Sequence, residues 1–443
     1  MKKIITYGTY DMLHVGHLNI LRRAKALGDY LIVGVTSEDY DRSRGKLNVS
    51  QSTKQRVEAI KKLDFVDEVI VETHKNQKAK DMQKYNIDIF AIGDDWIGGF
   101  DYLNEYTTVV YLPRTEGISS TLLRKKRFKK VKLGIVGIGK DTQRFLKESK
   151  FVSNITPYSI FDDDIGAVER FIKGTDIEYG YNKYKEFLNS DIDSIYITSF
   201  LENHYHQIKM ALESEKHVLC ENPLVIKERE LEELFSLAKK KNKLLLVALK
   251  TAFAPAFNQL LKELRTGIIG EIKEVRATFT KLYRDEGYPK EFYKYGATNL
   301  LLSYPALLIQ KILGRSSSIE FFDQREDGYD ISNRVLTRHK DEAIGLATVG
   351  IGMKLESDAV IAGTKGYLYI PAPWWLTRVF HFRFEDTHKS YTFKYEFEGD
   401  GLRYMISEFS SLIQRGEIES KRLTQSDMIE INRVTVEYNQ SIN

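Results

Sequence analysis

The chain begins with a segment that predicts a strand, a tight turn and a helix. An apolar run from Ile4 to Thr6 leads into Gly8, and a helical pattern of apolar residues starts at His17. His14 and His17 are three positions apart, so on a first helical turn their imidazole rings lie on the same side. A helix start also presents unpaired backbone N–H groups and the positive end of its dipole. This combination predicts a polyphosphate site; two unrelated helix-capping histidines are the simpler alternative.

Strand-like and helix-like segments alternate through residues 1–127. This order predicts an α/β fold in which helices cover both faces of a parallel sheet. Ligands of such sheets bind at the carboxyl ends of the strands. Gly8, Gly93 and Gly117 follow or flank strand ends, so we expect their motifs to meet in one crevice. The predicted strands and helices are Ile4–Tyr7, a helix from His17, Tyr30–Thr36, a helix near Ser52–Leu63, Glu68–Glu72, a helix near Gln77–Tyr85, Ile87–Ile92 and Thr108–Leu112.

Length and composition bound the rest. A chain of 443 residues that is 42% hydrophobic is too long for one ordinary domain. Its net charge of +4 is small for this length and gives no reason to expect nucleic-acid binding. The basic run Arg124–Lys130 is interpreted as a junction between two modules, with a nucleic-acid-binding patch as the alternative. The single cysteine, Cys220, excludes an internal disulfide and fits a reducing compartment. Without a signal-peptide core or a membrane span, we expect a cytoplasmic protein.

A second nucleotide-binding pattern follows the basic run. The apolar segment from Val131 ends in Gly137-Ile-Gly139 and leads into a helix, which is typical of a Rossmann βαβ unit. Thr142 stands where that pattern has a third small residue, which weakens the match. Asp162 follows the next predicted strand, at the place of the acidic residue that binds a cofactor ribose, and weakly favours NAD over NADP.

Three separated motifs of the first module resemble those of the cytidylyltransferases, and among them the bacterial glycerol-3-phosphate cytidylyltransferase family. They are the block from Gly8 to Leu21, Ile92–Trp96 and Arg114–Thr121. The resemblance implies transfer of CMP from CTP to a glycerol phosphate, giving CDP-glycerol and pyrophosphate, with Mg²⁺ accompanying the triphosphate and no metal site of the protein's own. It implies catalytic roles for His14, His17, Lys46 and Arg114, and substrate contacts by Thr9, Tyr10, Asp11, Arg56, Lys78, Asp94, Gly117, Ser119, Ser120 and Thr121.

Two of these assignments keep an alternative. Arg56 and Lys78 align with the family's positions for the phosphate of the acceptor. Both residues lie on predicted helices, so exposed cations without a ligand are the alternative interpretation. Asp11 is expected to support the site from behind rather than to touch CTP.

The second module resembles the glucose-fructose oxidoreductase / inositol 2-dehydrogenase (Gfo/Idh/MocA) family, which are two-domain NAD(P)-dependent dehydrogenases. The resemblance rests on Ser194–Ser199, His204 and Ala211–Leu224 and extends loosely to the end of the chain. It implies a dinucleotide-binding Rossmann domain at 128–252, after a cytidylyltransferase domain at 1–127, and an α+β domain at 253–443 with a large open antiparallel sheet. Implied cofactor contacts are Gly137, Ile138, Gly139, Asp162, Ser199, His204, Glu221 and Asn222.

The second module departs from its family at the reaction centre. The family carries a lysine in a Glu-Lys-Pro turn, whereas this chain has Asn222 after Glu221. Asn222 can orient an oxygen by hydrogen bonding but cannot act as a cation or an acid. Tyr304 falls where the family places its Tyr or His. Lys250, which ends an apolar strand, could polarise a carbonyl in place of the missing lysine; a surface lysine is the alternative.

Two functions therefore stay open. The first is a bifunctional enzyme whose reductase supplies the polyol phosphate, or its precursor, for an activated CDP-polyol used in a cell-surface polymer such as teichoic acid or capsule. The second is a cytidylyltransferase that carries a silent dinucleotide-binding or scaffold domain. Both imply small-molecule substrates and no nucleic acid, and we expect a homodimer.

Overall fold

The computed structural model describes residues 1–43, 49–74, 77–113, 130–282, 293–395 and 399–442. The chain forms two compact units, residues 1–129 and 130–443. The predicted boundary at 127 falls beside the limit between these units, and the predicted boundary at 252 lies within the second unit. Of the described helices, none combines the length and the apolar character that crossing a bilayer requires.

The first unit is built on a parallel five-stranded sheet in the order β3-β2-β1-β4-β5. The strands are β1 Lys3–Gly8, β2 Tyr30–Thr36, β3 Glu68–Glu72, β4 Ile89–Gly93 and β5 Thr108–Leu112. The helices are α1 Val15–Lys25, α2 Glu38–Ser43, α3 Thr53–Lys61 and α4 Gln77–Tyr85. This confirms the predicted α/β fold. The helix predicted from His17 begins at Val15, because His14 has an extended backbone and serves as its N-cap.

Alternation along β1 explains why both faces of this sheet are covered. Ile4 packs with Leu21 of α1 on one face, and Ile5 packs with Met82 of α4 on the other; all four are buried. Successive side chains of a strand point to opposite faces, so consecutive apolar residues require a core on each side. The strand order reverses direction between β1 and β4, and this is where ligands bind in such sheets.

The second unit begins with a parallel six-stranded sheet in the order β11-β10-β9-β6-β7-β8. The strands are β6 Val131–Val136, β7 Ile155–Phe161, β8 Tyr179–Tyr181, β9 Ser194–Ile197, β10 His217–Cys220 and β11 Leu245–Val247. The helices are α5 Lys140–Ser149, α6 Ile165–Lys173, α7 Tyr184–Leu188, α8 Leu201–Glu213, α9 Glu228–Lys240 and α10 Pro255–Leu264. This is the predicted Rossmann arrangement.

An eight-stranded sheet follows, in the order β13-β14-β15-β12-β16-β17-β18-β19. The strands are β12 Ile272–Thr280, β13 Ser318–Glu326, β14 Tyr329–Arg338, β15 Ile344–Gly350, β16 Ala359–Gly363, β17 Gly366–Ile370, β18 Val379–Phe384 and β19 Ser390–Lys394. The remaining helices are α11 Gly296–Leu301, α12 Ser303–Leu313, α13 Leu402–Arg415 and α14 Gln425–Ser441. The predicted single helix over 298–313 is thus two helices that meet at Leu302.

The predicted large, mainly antiparallel sheet contains one parallel pair. β12 runs parallel to β15, with Glu274 opposite Ile344, whereas the other neighbours are antiparallel. A parallel neighbour needs a long crossover. Here the crossover contains α11 and α12, and α12 packs against both strands.

The last part of the chain returns to the Rossmann sheet. α13 packs against α5, and the buried carboxylate of Glu148 on α5 accepts from Arg403 Nε on α13 at 2.9 Å. Residues 402–415 therefore pack into the core of the dinucleotide-binding sheet. The domain predicted at 253–443 thus contributes a helix to the domain predicted at 128–252.

Candidate active sites

The turn between β1 and α1 brings the predicted histidines together. The rings of His14 and His17 stack with their centroids 3.8 Å apart and an interplanar angle of 20°. Tyr10 packs edge-on against His17 at 5.5 Å. Tyr10 and Met12 both have φ of +50°, a strained conformation for these residues, and both are buried, so packing holds the turn in place. The two imidazoles therefore lie on one side of the helix start, as their spacing predicts.

Asp11 supports this turn from behind. Its carboxylate accepts hydrogen bonds from the backbone N–H of Ser50 at 3.0 Å and of Gln51 at 3.0 Å. Gln51 in turn accepts from the Met12 N–H at 2.7 Å. These bonds tie the β1–α1 turn to the segment that precedes α3, a role that fits the supporting position expected for Asp11.

Arg56 is wholly buried, so the alternative that it is an exposed cation is wrong. Its guanidinium donates to the carbonyl oxygens of Thr9 at 2.7 Å and Thr36 at 2.8 Å, and to Asp41 Oδ2 at 3.1 Å. The Thr9 hydroxyl also donates to Asp41, at 2.9 Å. Arg56 thus joins the carboxyl ends of β1 and β2. A phosphate contact by Arg56 stays a prediction, since these partners occupy most of its donors.

Lys78 is also buried, which contradicts the exposed alternative for this residue. Its ammonium forms an ion pair with Glu72, at the end of β3, and lies 4.7 Å from the centre of the Tyr7 ring and 5.4 Å from that of Phe100. Aromatic faces attract a cation electrostatically. A ligand phosphate at this place would meet an ammonium already held in position.

Tyr7, Asp41, Glu72 and Asp81 are site-forming residues that the sequence reasoning missed. The Tyr7 hydroxyl donates to Asp81 Oδ2 at 2.8 Å. Burial, followed by the charge of Asp81, raises the pKa of this phenol far above its ordinary value. The sequence did carry one signal for Glu72, its position at the end of a predicted strand, close to where Gly8 and Gly93 follow theirs.

The other predicted contacts of the first site divide into two groups. Asp94 is half-buried and begins a short turn directly after β4, at the same edge of the sheet. The remaining ones lie outside the described residues: Lys46, Arg114, Gly117, Ser119, Ser120 and Thr121. Within the described ranges, no group of three or more His, Cys, Asp or Glu side chains is arranged to hold a metal ion.

In the second unit, the glycine-rich turn after β6 requires glycine at position 137. Gly137 has φ of +97°, and a Cβ there would lie 3.0 Å from both Ser199 N and Thr198 Oγ1. Gly139 is the N-cap of α5. Thr142, at the weak position of the motif, is buried, and its hydroxyl donates to the Gly137 carbonyl at 2.7 Å. This backbone fits a dinucleotide pyrophosphate at the helix start.

Asp162 lies beside this turn, whereas His204 has a different role from the predicted one. The carboxylate of Asp162 accepts from the Ile138 N–H at 3.1 Å, which places it where a cofactor ribose would lie. Both ring nitrogens of His204 are 3.0 Å from backbone oxygens, those of Ser199 and Pro223. His204 therefore braces two strand ends and has no nitrogen left for a cofactor.

A cavity of about 760 Å³ connects the glycine-rich turn with the larger sheet. Residues from β12, α12 and the segment before α13 complete its wall. It brings together every residue predicted for the second site, namely Gly137, Ile138, Gly139, Asp162, Ser199, His204, Glu221, Asn222, Lys250 and Tyr304.

Lys250 is buried in the wall of this cavity, so the alternative of a surface lysine is wrong. Burial, and next the nearby charge of Arg144, lower the pKa of its ammonium to about 8. No residue in the described ranges forms a hydrogen bond or ion pair with this ammonium. A buried cation that has no hydrogen-bond partner among the described residues is costly, which indicates a ligand-binding or chemical role.

Tyr304 on α12 lines the same cavity. Its ring meets Phe279 edge-on at 5.0 Å, and Phe279 stacks on Trp375 at 3.9 Å. Burial raises the pKa of the Tyr304 phenol, so it holds its proton throughout the physiological range. Tyr304 can therefore donate a proton to an oxygen in the cavity.

Glu221 and Asn222 follow β10 directly. Glu221 accepts from the Tyr196 hydroxyl, and burial, followed by the charge of Asp141, raises the pKa of this carboxyl to about 7. Asn222 Oδ1 is buried, and no described residue donates a hydrogen bond to it. The position of the family's lysine is thus held by an acceptor that receives no hydrogen bond from the described part of the chain.

Arg144 and Asp400 are two further residues that the sequence analysis did not select. The Arg144 guanidinium on α5 donates from Nε to Asp400 Oδ2 at 2.9 Å and from Nη1 to Asp141 at 3.3 Å. Burial alone would raise the pKa of the Asp400 carboxyl, but Lys250 and Arg144 bring it below its ordinary value. Asp400 therefore balances the two cations. Asp400 lies more than 250 residues after Arg144 in the chain, so no local sequence pattern could have predicted their ion pair.

Comparison with known proteins separates the same two modules. Residues 5–126 match the family model described as cytidylyltransferase-like. Residues 131–249 match the oxidoreductase family with an NAD-binding Rossmann fold. The chain is 50% identical over 125 residues to glycerol-3-phosphate cytidylyltransferase of Bacillus spizizenii, which covers 28% of this chain and 96% of that protein.

The second module has more distant relatives. Trans-1,2-dihydrobenzene-1,2-diol dehydrogenase of Danio rerio is 24% identical over 283 residues, which cover 60% of this chain and 82% of that protein. A solved 3-ketoreductase from Actinomadura kijaniata, in complex with TDP-benzene and NADP, superposes with a TM-score of 0.60 at 21% identity and covers 69% of this chain and 96% of that one. The structural likeness shows the shared fold.

Proposed function

We propose that this one polypeptide both prepares and activates a polyol phosphate. The premise is that its first module belongs to the glycerol-3-phosphate cytidylyltransferase family and its second to the Gfo/Idh/MocA oxidoreductase family. The first module joins CMP from CTP to the phosphate of glycerol phosphate or a related polyol phosphate. The second module reduces a carbonyl precursor of that polyol phosphate with NADH or NADPH.

The stacked pair His14 and His17 carries the first part of the proposal. In cytidylyl transfer an oxygen of the acceptor phosphate attacks the α-phosphorus of CTP, and the bond to pyrophosphate breaks. Negative charge grows on the phosphate oxygens, and two imidazole donors at a helix start are well placed to stabilise it. Lys78 then gives up its ion pair with Glu72 and binds the acceptor phosphate instead. The direct test is formation of CDP-glycerol and pyrophosphate from CTP and glycerol 3-phosphate; absence of both products would contradict the proposal.

Mg²⁺ is proposed to accompany the triphosphate, since such phosphates recruit the ion with few protein ligands. Its test is loss of CDP-glycerol formation with a chelator and recovery with added Mg²⁺. We also propose a cytoplasmic homodimer, for which light scattering of the purified protein gives the mass.

The cavity with Lys250 and Tyr304 carries the second part. A dinucleotide bound at the Gly137 turn supplies hydride chemistry when its nicotinamide is reduced. Lys250 binds the carbonyl oxygen and polarises it, and Tyr304 gives that oxygen a proton. The surrounding aromatic rings exclude water. Lys250 thus takes the place of the family's lysine, one strand further along the sheet.

The alternative, a silent dinucleotide-binding or scaffold domain, is favoured by one observation: Asn222 stands where the family has its lysine. The two readings differ in a simple assay. Oxidation of NADH or NADPH by keto- or aldo-phosphates is followed at the absorbance of the reduced nicotinamide, and dinucleotide binding is followed by quenching of tryptophan fluorescence. Quenching without turnover would support the silent binding domain, and absence of both would support a scaffold.

A further inference from the structure

One carboxyl group in the wall of the second cavity has no part in the proposed reduction. Glu221 follows the carboxyl end of β10 and lines the cavity together with Lys250 and Tyr304. Its Oε1 accepts from the Tyr196 hydroxyl, which fixes the carboxyl group in place. Its Oε2 receives no hydrogen bond from a described residue, yet it is not sealed from solvent as Asn222 Oδ1 is. Since Glu221 lines the cavity, Oε2 opens into it.

The hydroxyl group of Tyr304 is open to the same cavity. It too forms no hydrogen bond with the described part of the chain and is not sealed from solvent. After burial, the negative charge of Glu221 has the largest effect on the pKa of this phenol. Because charges act strongly only over short distances in a protein, the phenol on α12 and the carboxyl group after β10 are neighbours across the cavity.

Reduction of a carbonyl consumes a proton as well as a hydride. In the proposed reaction Tyr304 supplies that proton and is left as a phenolate. Burial raises the pKa of this phenol, so the phenolate has to regain a proton before the next turnover. The carboxyl group of Glu221, with a pKa of about 7, both holds and releases a proton near neutral pH. Transfer from this carboxyl group to the phenolate is downhill, because the phenol binds the proton more tightly.

Asp141 connects Glu221 with solvent. It lies in the first turn of α5 and lines the cavity, and its side chain is 39% exposed. Its charge has the largest effect of any neighbouring charge on the pKa of Glu221, and its ion pair with Arg144, at 3.3 Å, holds it at the cavity wall. The other titratable or charged groups around Glu221 are Tyr196 on β9, Cys220 on β10, Lys250 after β11, Tyr304 on α12 and Asp400 before α13.

We propose that Glu221 relays protons to Tyr304 and that Asp141 supplies Glu221 from solvent. The proposal rests on the proposed reductase function and adds the proton supply of that site. In each turnover the carbonyl carbon gains a hydride from the reduced nicotinamide, which is oxidised, and the carbonyl oxygen takes the proton of Tyr304. The O–H bond of the Glu221 carboxyl group then breaks as its proton moves to the phenolate. The carboxylate regains a proton by way of Asp141, and Glu221 acts on the substrate only through Tyr304.

The Glu221→Gln variant keeps the shape of the side chain and an acceptor for Tyr196 but cannot carry the proton. Stopped-flow absorbance with dihydroxyacetone phosphate and NADH or NADPH should show a burst of cofactor oxidation equal to the concentration of sites, because Tyr304 starts protonated. The steady state should then be slower by at least about tenfold in kcat, with little change in kcat/KM. Glu228→Gln, which alters an exposed carboxyl group on α9, should behave as the wild type.

The pH profile separates a relay from a structural role. In the wild type, kcat for reduction should fall as the pH rises through about 7, because the carboxylate form of Glu221 has no proton to give. Glu221→Gln should lack this step, whereas Glu221→Asp, which keeps a carboxyl group, should retain a pH-dependent kcat. A purely structural role would leave the wild-type step in the profile of Glu221→Gln.

Three results would overturn the relay, and they differ in what they leave standing. Equal kcat in the wild type and Glu221→Gln would remove the relay and leave the reductase function. Weaker NADH binding by Glu221→Gln in fluorescence quenching, without a burst and with an unchanged pH step, would assign Glu221 to the cofactor. A wild type that binds NADH or NADPH but oxidises neither with any keto- or aldo-phosphate would overturn the reductase function and the relay together.

Discussion

Two buried cations of this chain show how differently a buried charge can be used. Arg56 is surrounded by three backbone carbonyls and the carboxylate of Asp41, so its charge is compensated by the fold. Lys250 is buried to a similar degree, yet no described residue forms a hydrogen bond or ion pair with it, and the largest effect of a neighbouring charge on its pKa is the repulsion of Arg144. The first arrangement is that of a residue that holds structure together; the second is that of a group kept ready for a ligand.

Replacing Lys250 by Met should lower kcat/KM for carbonyl reduction by at least about 10²-fold, because the carbonyl oxygen loses its charged donor. NADH binding, read from fluorescence quenching, should change little. The matched control is Lys239→Met, which alters an exposed lysine on α9. A variant at Lys250 with wild-type reductase rates would show that the ammonium is not part of the reaction.

The lowered pKa of Lys250 also predicts a pH effect. Only the protonated amine polarises the carbonyl, so kcat/KM should fall as the pH rises through about 8.

The unfolded chain keeps this proton to about pH 10.4, so between these values the unfolded state binds more protons and the free energy of unfolding rises with pH. Chemical denaturation of the wild type and of Lys250→Met at pH 7 and pH 9.5 measures this change in the free energy of unfolding. The wild type should gain stability relative to the variant at the higher pH.

The histidine pair gives the corresponding prediction for the first module. His14→Ala or His17→Ala should reduce CDP-glycerol formation by on the order of 10²-fold, because the transition state loses a donor to its phosphate oxygens. Thermal unfolding should be nearly unchanged. His74→Ala, which alters an exposed histidine of the same unit, serves as the control. Wild-type rates in both active-site variants would mean that the pair does not bind the triphosphate.

At the scale of elements, buried ion pairs link segments that are distant in the chain. Arg403 on α13 is paired with Glu148 on α5, and its guanidinium also lies 4.0 Å from the centre of the Phe151 ring. The pair joins the end of the chain to the first Rossmann helix. Removing one partner leaves the other charge buried and uncompensated, which is more costly than losing an exposed pair.

Arg403→Ala should therefore lower the free energy of unfolding of the second unit by about 3–5 kcal/mol. Urea denaturation followed by tryptophan fluorescence reports on this unit through Trp374 and Trp375. Lys183→Ala, which removes an exposed pair with Glu186, should cost less than about 1 kcal/mol. Equal losses in the two variants would contradict the view that α13 is held to α5 by this pair.

How far the sequence predicts these elements depends on the range of the interactions. The His14–His17 pair and the Gly137 turn follow from spacing within a few residues, so both are predictable. The burial of Arg56 and the charges around Lys250 depend on strand ends brought together from distant segments, and no local pattern encodes them. The parallel pairing of β12 with β15 is hidden for the same reason, because two helices and a hairpin separate these strands in the chain.

At the scale of the whole molecule, each unit contains its own candidate site within its own residues. The histidine pair lies in residues 1–129, and the cavity is lined entirely by residues of 130–443. The two activities should therefore be separable by substitution. His17→Ala should reduce CDP-glycerol formation by on the order of 10²-fold and leave NADH oxidation intact, and Lys250→Met should do the reverse. Loss of both activities in either variant, with folding preserved, would contradict this independence.

The combined activities predict a one-tube synthesis. Full-length protein given CTP, Mg²⁺, NADH and dihydroxyacetone phosphate, without glycerol phosphate, should form CDP-glycerol, because reduction supplies the acceptor. Chromatography of the nucleotides measures the product. Omitting NADH should stop its formation, and adding glycerol 3-phosphate should restore it. Continued synthesis without reductant would show that the acceptor has another source.

The carboxylate of Asp400 has a consequence for how the chain matures on the ribosome. The five strands of the first unit are complete at Leu112, so that sheet can form while most of the chain is still unmade. The cavity of the second unit is instead completed only when Asp400 reaches Arg144 and Lys250, and until then the two cations repel each other. A nascent chain can thus have a finished first module long before its second cavity reaches charge balance.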